Sequence, residues 1–279
     1  MLASFLLALR EGLEAALIIG IVLGALRKLQ RNDLAPTVWA GVGSAIIVSL
    51  VAGIGLYAIG VELEGQAEQI FEGLTMLLAA GVLTWMIFWM NRQSHSIKSD
   101  LEQGVNRTVS AADKRGLFWL AFLAVVREGI ELALFLTAAT FASSTVFMVV
   151  GALLGLGTAV LLGWTLFATT VRLDLRRFFQ VTGILLILFA AGLVAHGVHE
   201  LVETGLLPAL IDPVWDINTL IPETSFVGMI LKTLFGYNAN PTLMEMLAYF
   251  GYLIAVGIGL RAANKRTEKV EAVSAQSQV

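Results

Sequence analysis

The sequence predicts an all-α polytopic membrane protein: seven transmembrane helices, arranged as an inverted 3+3 repeat with one helix added. Three observations carry this. The 279-residue chain is 57% hydrophobic and only 14% charged, with mean hydropathy +0.82, whereas a soluble domain carries about a quarter charged residues. Apolar windows of about 20 residues, the length that crosses a bilayer, recur along the whole chain. One five-residue phrase stands twice in the middle of such windows: Arg10-Glu11-Gly12-Leu13-Glu14 and Arg127-Glu128-Gly129-Ile130-Glu131.

The first window, 2–26, has no positive stretch before it and no small-residue cleavage site after it. It reads as a retained span rather than a signal peptide. Further windows follow at 36–60, 70–90, 117–139, 146–170, 178–198 and 243–260. The connectors 27–35, 91–116 and 171–177 and the tail 261–279 hold fifteen Lys and Arg, among them Arg27, Lys28, Lys98, Lys114, Arg172 and Arg261. The alternate connectors, 61–69, 140–145 and 199–242, hold Lys232 alone. Basic residues collect on the cytoplasmic side, so the N-terminus is expected outside and the C-terminus inside. Trp39, Trp85, Trp89 and Trp119 then fall near the inner boundary and Tyr57 near the outer one, where interfacial aromatics belong.

One transmembrane domain, 1–260, is expected, with repeat 1 at about 2–90 and repeat 2 at about 117–198. Three spans per half is an odd number, so the halves are inverted, a plan common in secondary transporters. The outer segment 199–242 contains Pro208, Pro213 and Pro222 and apolar patches that suggest short surface helices. The seventh helix is 243–260, and the tail 261–279 is expected to be cytoplasmic and largely disordered.

The chain has no cysteine and three histidines. Thiolate ligands and disulfides are excluded, and a histidine-rich metal site is not expected. Net charge is −3, and no basic patch points to nucleic acid; membrane lipid is the surrounding partner. Six charges at membrane depth are costly, at roughly 2.5–3.5 kcal/mol for each Asp, Lys or Arg. Arg10 and Glu14 share a helix face one turn apart, as do Arg127 and Glu131. As intrahelical pairs alone they would leave one glutamate per motif unpartnered in hydrocarbon. A pseudo-two-fold axis in the membrane plane would bring the motifs face to face, with Glu14 and Glu131 approaching each other. Glu11, Glu14, Glu128 and Glu131 with Arg10 and Arg127 then form a site short of positive charge, suited to a cation. Oxygen-only ligands favour a hard ion: ferric iron first, ferrous iron or manganese next. Gly12 and Gly129 would let helices approach closely or let an ion pass the backbone. Gly20/Gly24 and Gly151/Gly155 have the spacing of close packing.

Outside, Glu64, Glu68 and Glu72 are spaced i, i+4, i+8 and are expected on one helix face leading into the third span. Ten acidic residues against Lys232 in the outer segments suggest a negative vestibule that concentrates cations. Glu68 and Glu72, nearest the membrane, are metal candidates there, while Glu62 and Glu64 suit a solvated face equally well. At the outer end of the sixth span stand His196, His199, Glu200 and Glu203. With Glu64 they form either an outer metal relay or a capping cluster that ties down 199–242.

The doubled motif on the first and fourth of seven spans resembles the iron permeases of the oxidase-dependent iron transporter family, fungal high-affinity permeases and their bacterial relatives. Phe71-Glu72-Gly73 and Leu83-Thr84-Trp85-Met86-Ile87-Phe88-Trp89-Met90 on the third span match as well, as does Phe235-Gly236-Tyr237-Asn238-Ala239-Asn240-Pro241 before the seventh. The resemblance runs from Leu9 to about Leu260. It implies iron import across a bacterial cytoplasmic membrane, with the motif glutamates handling iron, Fe2+ or Fe3+, as transported substrate and no permanently bound cofactor. It also implies separate partners: a periplasmic iron-binding protein and a haem peroxidase, or another ferroxidase. A similar lead-uptake branch keeps lead, beside manganese, as an alternative substrate. The rival from another class is a glutamate-type intramembrane protease. Such an enzyme needs one asymmetric site, whereas a motif duplicated in opposite orientation suits access from two sides.

Overall fold

The computed structural model describes residues 1–93, 103–105, 107–108, 113–142, 145–168 and 175–276; Lys98, Arg172 and the last three residues of the tail lie outside them. The long elements are all helices: α1 (Leu2–Lys28), α2 (Ala35–Glu62), α3 (Gln66–Gln93), α4 (Lys114–Ala142), α5 (Thr145–Ala168), α6 (Leu175–Glu203), α7 (Phe226–Phe235) and α8 (Leu243–Gln276). Five of them, α2, α3, α5, α6 and α8, are long and apolar enough to cross a membrane. α1 and α4 match them in length and carry the motif charges near their middles.

Local chemistry sets the boundaries. A proline in its first turn opens α2, where a missing N–H costs nothing. Gly65 at φ 63° separates α2 from α3, a left-handed conformation that only glycine adopts cheaply. Glu64 therefore lies in the connector, and the expected three-carboxylate helix face is reduced to Glu68 and Glu72. The Ser225 hydroxyl accepts from the Gly228 N–H at 2.9 Å and caps α7, which ends at Gly236 with φ 66°. Thr242 and Glu245 open α8 with a reciprocal capping box: the Thr242 N–H donates to Glu245 Oε1 at 3.1 Å, and the Glu245 N–H donates to the Thr242 hydroxyl at 3.3 Å. α8 runs on to Gln276 instead of ending at 260. The run 261–276 has no Pro or Gly and is rich in Ala, Arg, Lys and Glu, which are strong helix formers.

The packing is crossed. α1 lies along α5, α2 along α4 and α3 along α6, while α1 and α4 meet between them and α8 packs on α6 and α3. Small residues set these approaches, as they do between membrane helices. A Cβ at Gly12 would stand 2.7 Å from that of Ala159, and one at Gly129 would collide with the Ser49 side chain. Gly53 meets Ala133 and Gly163 meets Ala16; Gly41 meets Phe118 and Ala121, and Gly151 meets Met1 and Ser4. Leu7, Met76, Leu83, Met86, Phe135, Leu186 and Leu193 are buried where α1, α3, α4 and α6 converge. The outward faces of α2 and α5 expose Ile46, Ile47, Leu50, Val51, Leu153, Leu154 and Leu161, an apolar surface suited to lipid.

Candidate metal site between α1 and α4

Each motif is one helical turn, so its arginine reaches the glutamate four residues on. Arg10 Nε stands 3.3 Å from Glu14 Oε1, and Arg127 Nε donates to Glu131 Oε1 at 2.9 Å. The intervening glutamates are held more loosely: Arg10 Nη1 lies 3.8 Å from Glu11 Oε1 and Arg127 Nε 4.0 Å from Glu128 Oε1. Across the α1–α4 contact, one carboxylate oxygen each from Glu11, Glu128 and Glu131 lie within 4.8 Å of one another. All three residues are buried, Glu11 to 1% exposure. Among the described residues this is the one group of three or more His, Asp or Glu side chains placed to hold a metal. Glu14 is turned toward Arg10 and stands outside the trio. Both α1 glutamates approach the second motif: Glu11 joins the trio, and Glu14 lies within electrostatic range of Glu131 and Arg127.

Several polar atoms here are buried without a hydrogen-bond partner: Arg10 Nε and Nη1, both Glu11 oxygens, Glu14 Oε1, Glu128 Oε2 and Glu131 Oε2. Such groups are expensive singly. Gathered in one place, they make sense as a site that an ion completes.

Four residues touch the motifs in ways the sequence reading did not assign. Arg10 Nη2 donates to Met90 Sδ at 2.7 Å. The Arg127 guanidinium lies 4.3 Å from the Trp89 ring centroid and 5.5 Å from that of Trp85. These two tryptophans, expected at the inner boundary, lie against the motif arginine; their i, i+4 spacing was the available signal. Ser49, whose hydroxyl is also buried without a partner, packs on Gly129. Gly12 and Gly129 are thus covered by α5 and α2 and leave no open gap. Gly151 and Gly155 pack closely on α1, whereas Gly24 has no neighbour within 4 Å.

The outer residues form a second, separate cluster. Glu72 stands near Glu68 and, across the α3–α6 contact, near Glu200. It is about 25 Å along α3 from Trp89, by the helix rise. His199 Nδ1 lies 2.9 Å from Glu245 Oε1, and its Nε2 lies 3.1 Å from Glu203. Glu203 also accepts from Gln69 at 2.7 Å, and Glu245 from Asn238 at 2.8 Å and the Thr242 hydroxyl at 2.9 Å. His199, Glu203 and Glu245 thereby tie α6 to the start of α8, the geometry of the capping alternative. The Thr-x-x-Glu signature at 242–245 stood in the sequence and went unread. Farther along the outer segment, Lys232 Nζ donates to Glu223 Oε2 at 2.7 Å and the Ala239 N–H to Oε1 at 3.0 Å. Burial pushes the Glu223 carboxyl up, but these two bonds and the lysine charge outweigh it and hold the group below its usual range.

Residues 1–265 match the family described as Iron permease FTR1 family. The chain is 36% identical over 256 residues to the Ferrous iron permease EfeU of Escherichia coli O6:K15:H31 (strain 536 / UPEC), an alignment covering 91% of this chain and 93% of that one. It is 35% identical to the protein of the same name from Yersinia pestis, with 91% of each covered. No solved structure matches the chain. With nearly its whole length matched, this chain is a transporter rather than an enzyme, and it belongs to the Iron permease FTR1 family.

Proposed function

We propose that this protein imports iron across the bacterial cytoplasmic membrane through the buried trio Glu11, Glu128 and Glu131. The convergence of those three carboxylates from two helices is the observation that carries the reading. Metal–oxygen bonds of about 2.0–2.2 Å put two ligands of one ion at most about 4.4 Å apart. The trio's 4.8 Å spread needs only small side-chain rotations to close on a cation. Carboxylates suit iron in either oxidation state. Arg10 and Arg127 hold Glu14 and Glu131 and offset two of the four carboxylates, which leaves the site short of positive charge.

Seven spans, with α1 and α4 included, and an inverted repeat of α1–α3 and α4–α6 complete the proposal. The glycine contacts support it. Gly12 stands to Ala159 as Gly129 stands to Ser49, Gly163 to Ala16 as Gly53 to Ala133, and Gly151 to Met1 and Ser4 as Gly41 to Phe118 and Ala121. One shift in numbering carries every α1 member onto α4, and another carries every α2 member onto α5. A site on such an axis is open in turn to either side. The distribution of Lys and Arg supports an outside N-terminus and a cytoplasmic C-terminus. Glu68 and Glu72 then lie at the outer mouth and attract the cation, with Glu64 and Glu200 beside the entry. Any change in iron's oxidation state falls to separate chains, a periplasmic iron-binding protein and a haem peroxidase or other ferroxidase.

The test is radio-iron uptake into proteoliposomes. Glu128→Gln and Glu131→Gln should each lower uptake by at least about tenfold, the loss that even an outer-shell partner of a metal causes, while the melting temperature is retained. Wild-type uptake by Glu128→Gln would remove the trio from the pathway. Manganese or lead outcompeting iron in the same vesicles would change the substrate and leave the site in place.

A further inference from the structure

We propose that α3 positions both motif arginines, Met90 fixing Arg10 and the Trp85–Trp89 pair fixing Arg127, and so confines the guanidiniums to Glu14 and to one oxygen of Glu131, leaving Glu11, Glu128 and the other Glu131 oxygen to receive the cation. The inference rests on the trio being the transport site. The two motifs are nearly identical in sequence, yet their arginines sit in different settings. Arg10 is buried to 1% exposure against a thioether, while Arg127 is 33% exposed against two indole faces. Both sets of partners lie on one helix, between residues 85 and 90.

The chemistry of these partners is the second part of the argument. A third carboxylate would hold an arginine but would also neutralise it. A thioether sulfur is a weak acceptor, and an indole face attracts a cation through its quadrupole. Neither carries a negative charge. The guanidiniums are therefore located without being used up, and they remain available to Glu14 and Glu131. Glu11 and Glu128, the loosely held pair, and the unbonded Oε2 of Glu131 are left for the ion.

The stretch is itself braced by α8, the helix outside the repeat. The Thr84 and Tyr252 hydroxyls lie 2.7 Å apart, and a Cβ at Gly259 would stand 2.7 Å from the Phe88 ring. A displacement of α3 would move both arginines together.

Kinetics of radio-iron uptake in proteoliposomes separate this role from a purely structural one. Trp89→Leu removes the ring face and Met90→Leu removes the acceptor. Each freed guanidinium then competes with the cation for carboxylate, so the apparent KM should rise roughly tenfold, the scale of one partly desolvated cation–π contact, with a smaller effect on maximal rate. Trp89→Phe keeps a face and Met90→Gln keeps an acceptor, so both should stay within about twofold of wild type by the same reasoning. Wild-type KM in both leucine variants, or Trp89→Phe failing as badly as Trp89→Leu, would overturn the proposal. Should Trp89→Leu fail to fold, Met90→Leu carries the test, since that exchange nearly conserves volume. Glu128→Gln runs alongside. If it transports normally, the site reading falls; if it is inactive while both leucine variants behave as wild type, only the α3 role falls.

Discussion

Glu11 and Glu14 differ by less than one helical turn, yet Glu11 joins Glu128 and Glu131 in the trio while Glu14 is the closer partner of Arg10. The i, i+4 pairing within each motif was legible from spacing alone, because both members ride on one helix. Which α1 glutamate joins the trio was not, because it depends on how α1 is rotated against α5, and hydropathy carries no record of that. The same limit hid the contacts of Met90, Trp85 and Trp89 with Arg10 and Arg127. Glu223 offers a residue-scale test at the outer surface. Its carboxyl is held below its ordinary value of 4.5. The bridge to Lys232 and Ala239 therefore stabilises the outer segment fully above that value, and it is lost as pH falls through the lowered folded value. Amide exchange over 213–241, corrected for intrinsic rates, should accelerate in the wild type between about pH 6 and about pH 3. In Glu223→Gln it should already be fast at the upper end and show no further step. An unchanged profile in that variant would mean that Glu223 does not secure the segment.

At the scale of elements, apolar windows located α1 to α6 and α8, while ends moved where a short-range rule overrode hydropathy. Gly65 cut Glu64 away from α3, and good helix formers carried α8 beyond the membrane window, whereas its start stayed at 243, where the Thr242–Glu245 box caps it. Small-residue spacing was a weaker guide. Gly151 is a true close approach and Gly24 faces open space, although each sits in a Gly-x-x-x-Gly pair. That contrast predicts opposite outcomes for one substitution. Gly129→Ala should lower stability by about 1–3 kcal/mol, as overpacking does, because Ser49 on α2 must retreat. Gly24→Ala should be neutral or stabilising by up to roughly 1 kcal/mol. Thermal unfolding of the purified variants in detergent would compare them, and equal melting temperatures would contradict the packing described at Gly129.

For the whole molecule, the charge layout has a consequence for transport. Glu64 and Glu68 are exposed and Glu72 is half-buried at one end of α3, far from the trio. Neutralising all three to Gln should raise the apparent KM for iron several-fold at low ionic strength, and the effect should fade at about 1 M salt, where the screening length is about 3 Å. A loss indifferent to salt would instead make one of them a direct ligand. Composition and the placement of Lys and Arg made the membrane setting readable from the outset, whereas the crossed pairing of helices left no trace in hydropathy. That pairing bears on how the chain is made. Because α1 lies along α5, the helix that will cover Gly12 does not yet exist when Arg10, Glu11 and Glu14 first meet the bilayer. The growing first helix must tolerate lipid alone, and the Arg10–Glu14 bridge is the partner it brings with it. If α1 spans the membrane and the proposed site holds, the pair that flanks the cation also serves biogenesis, by letting a charged helix wait in the membrane for the second half of the chain.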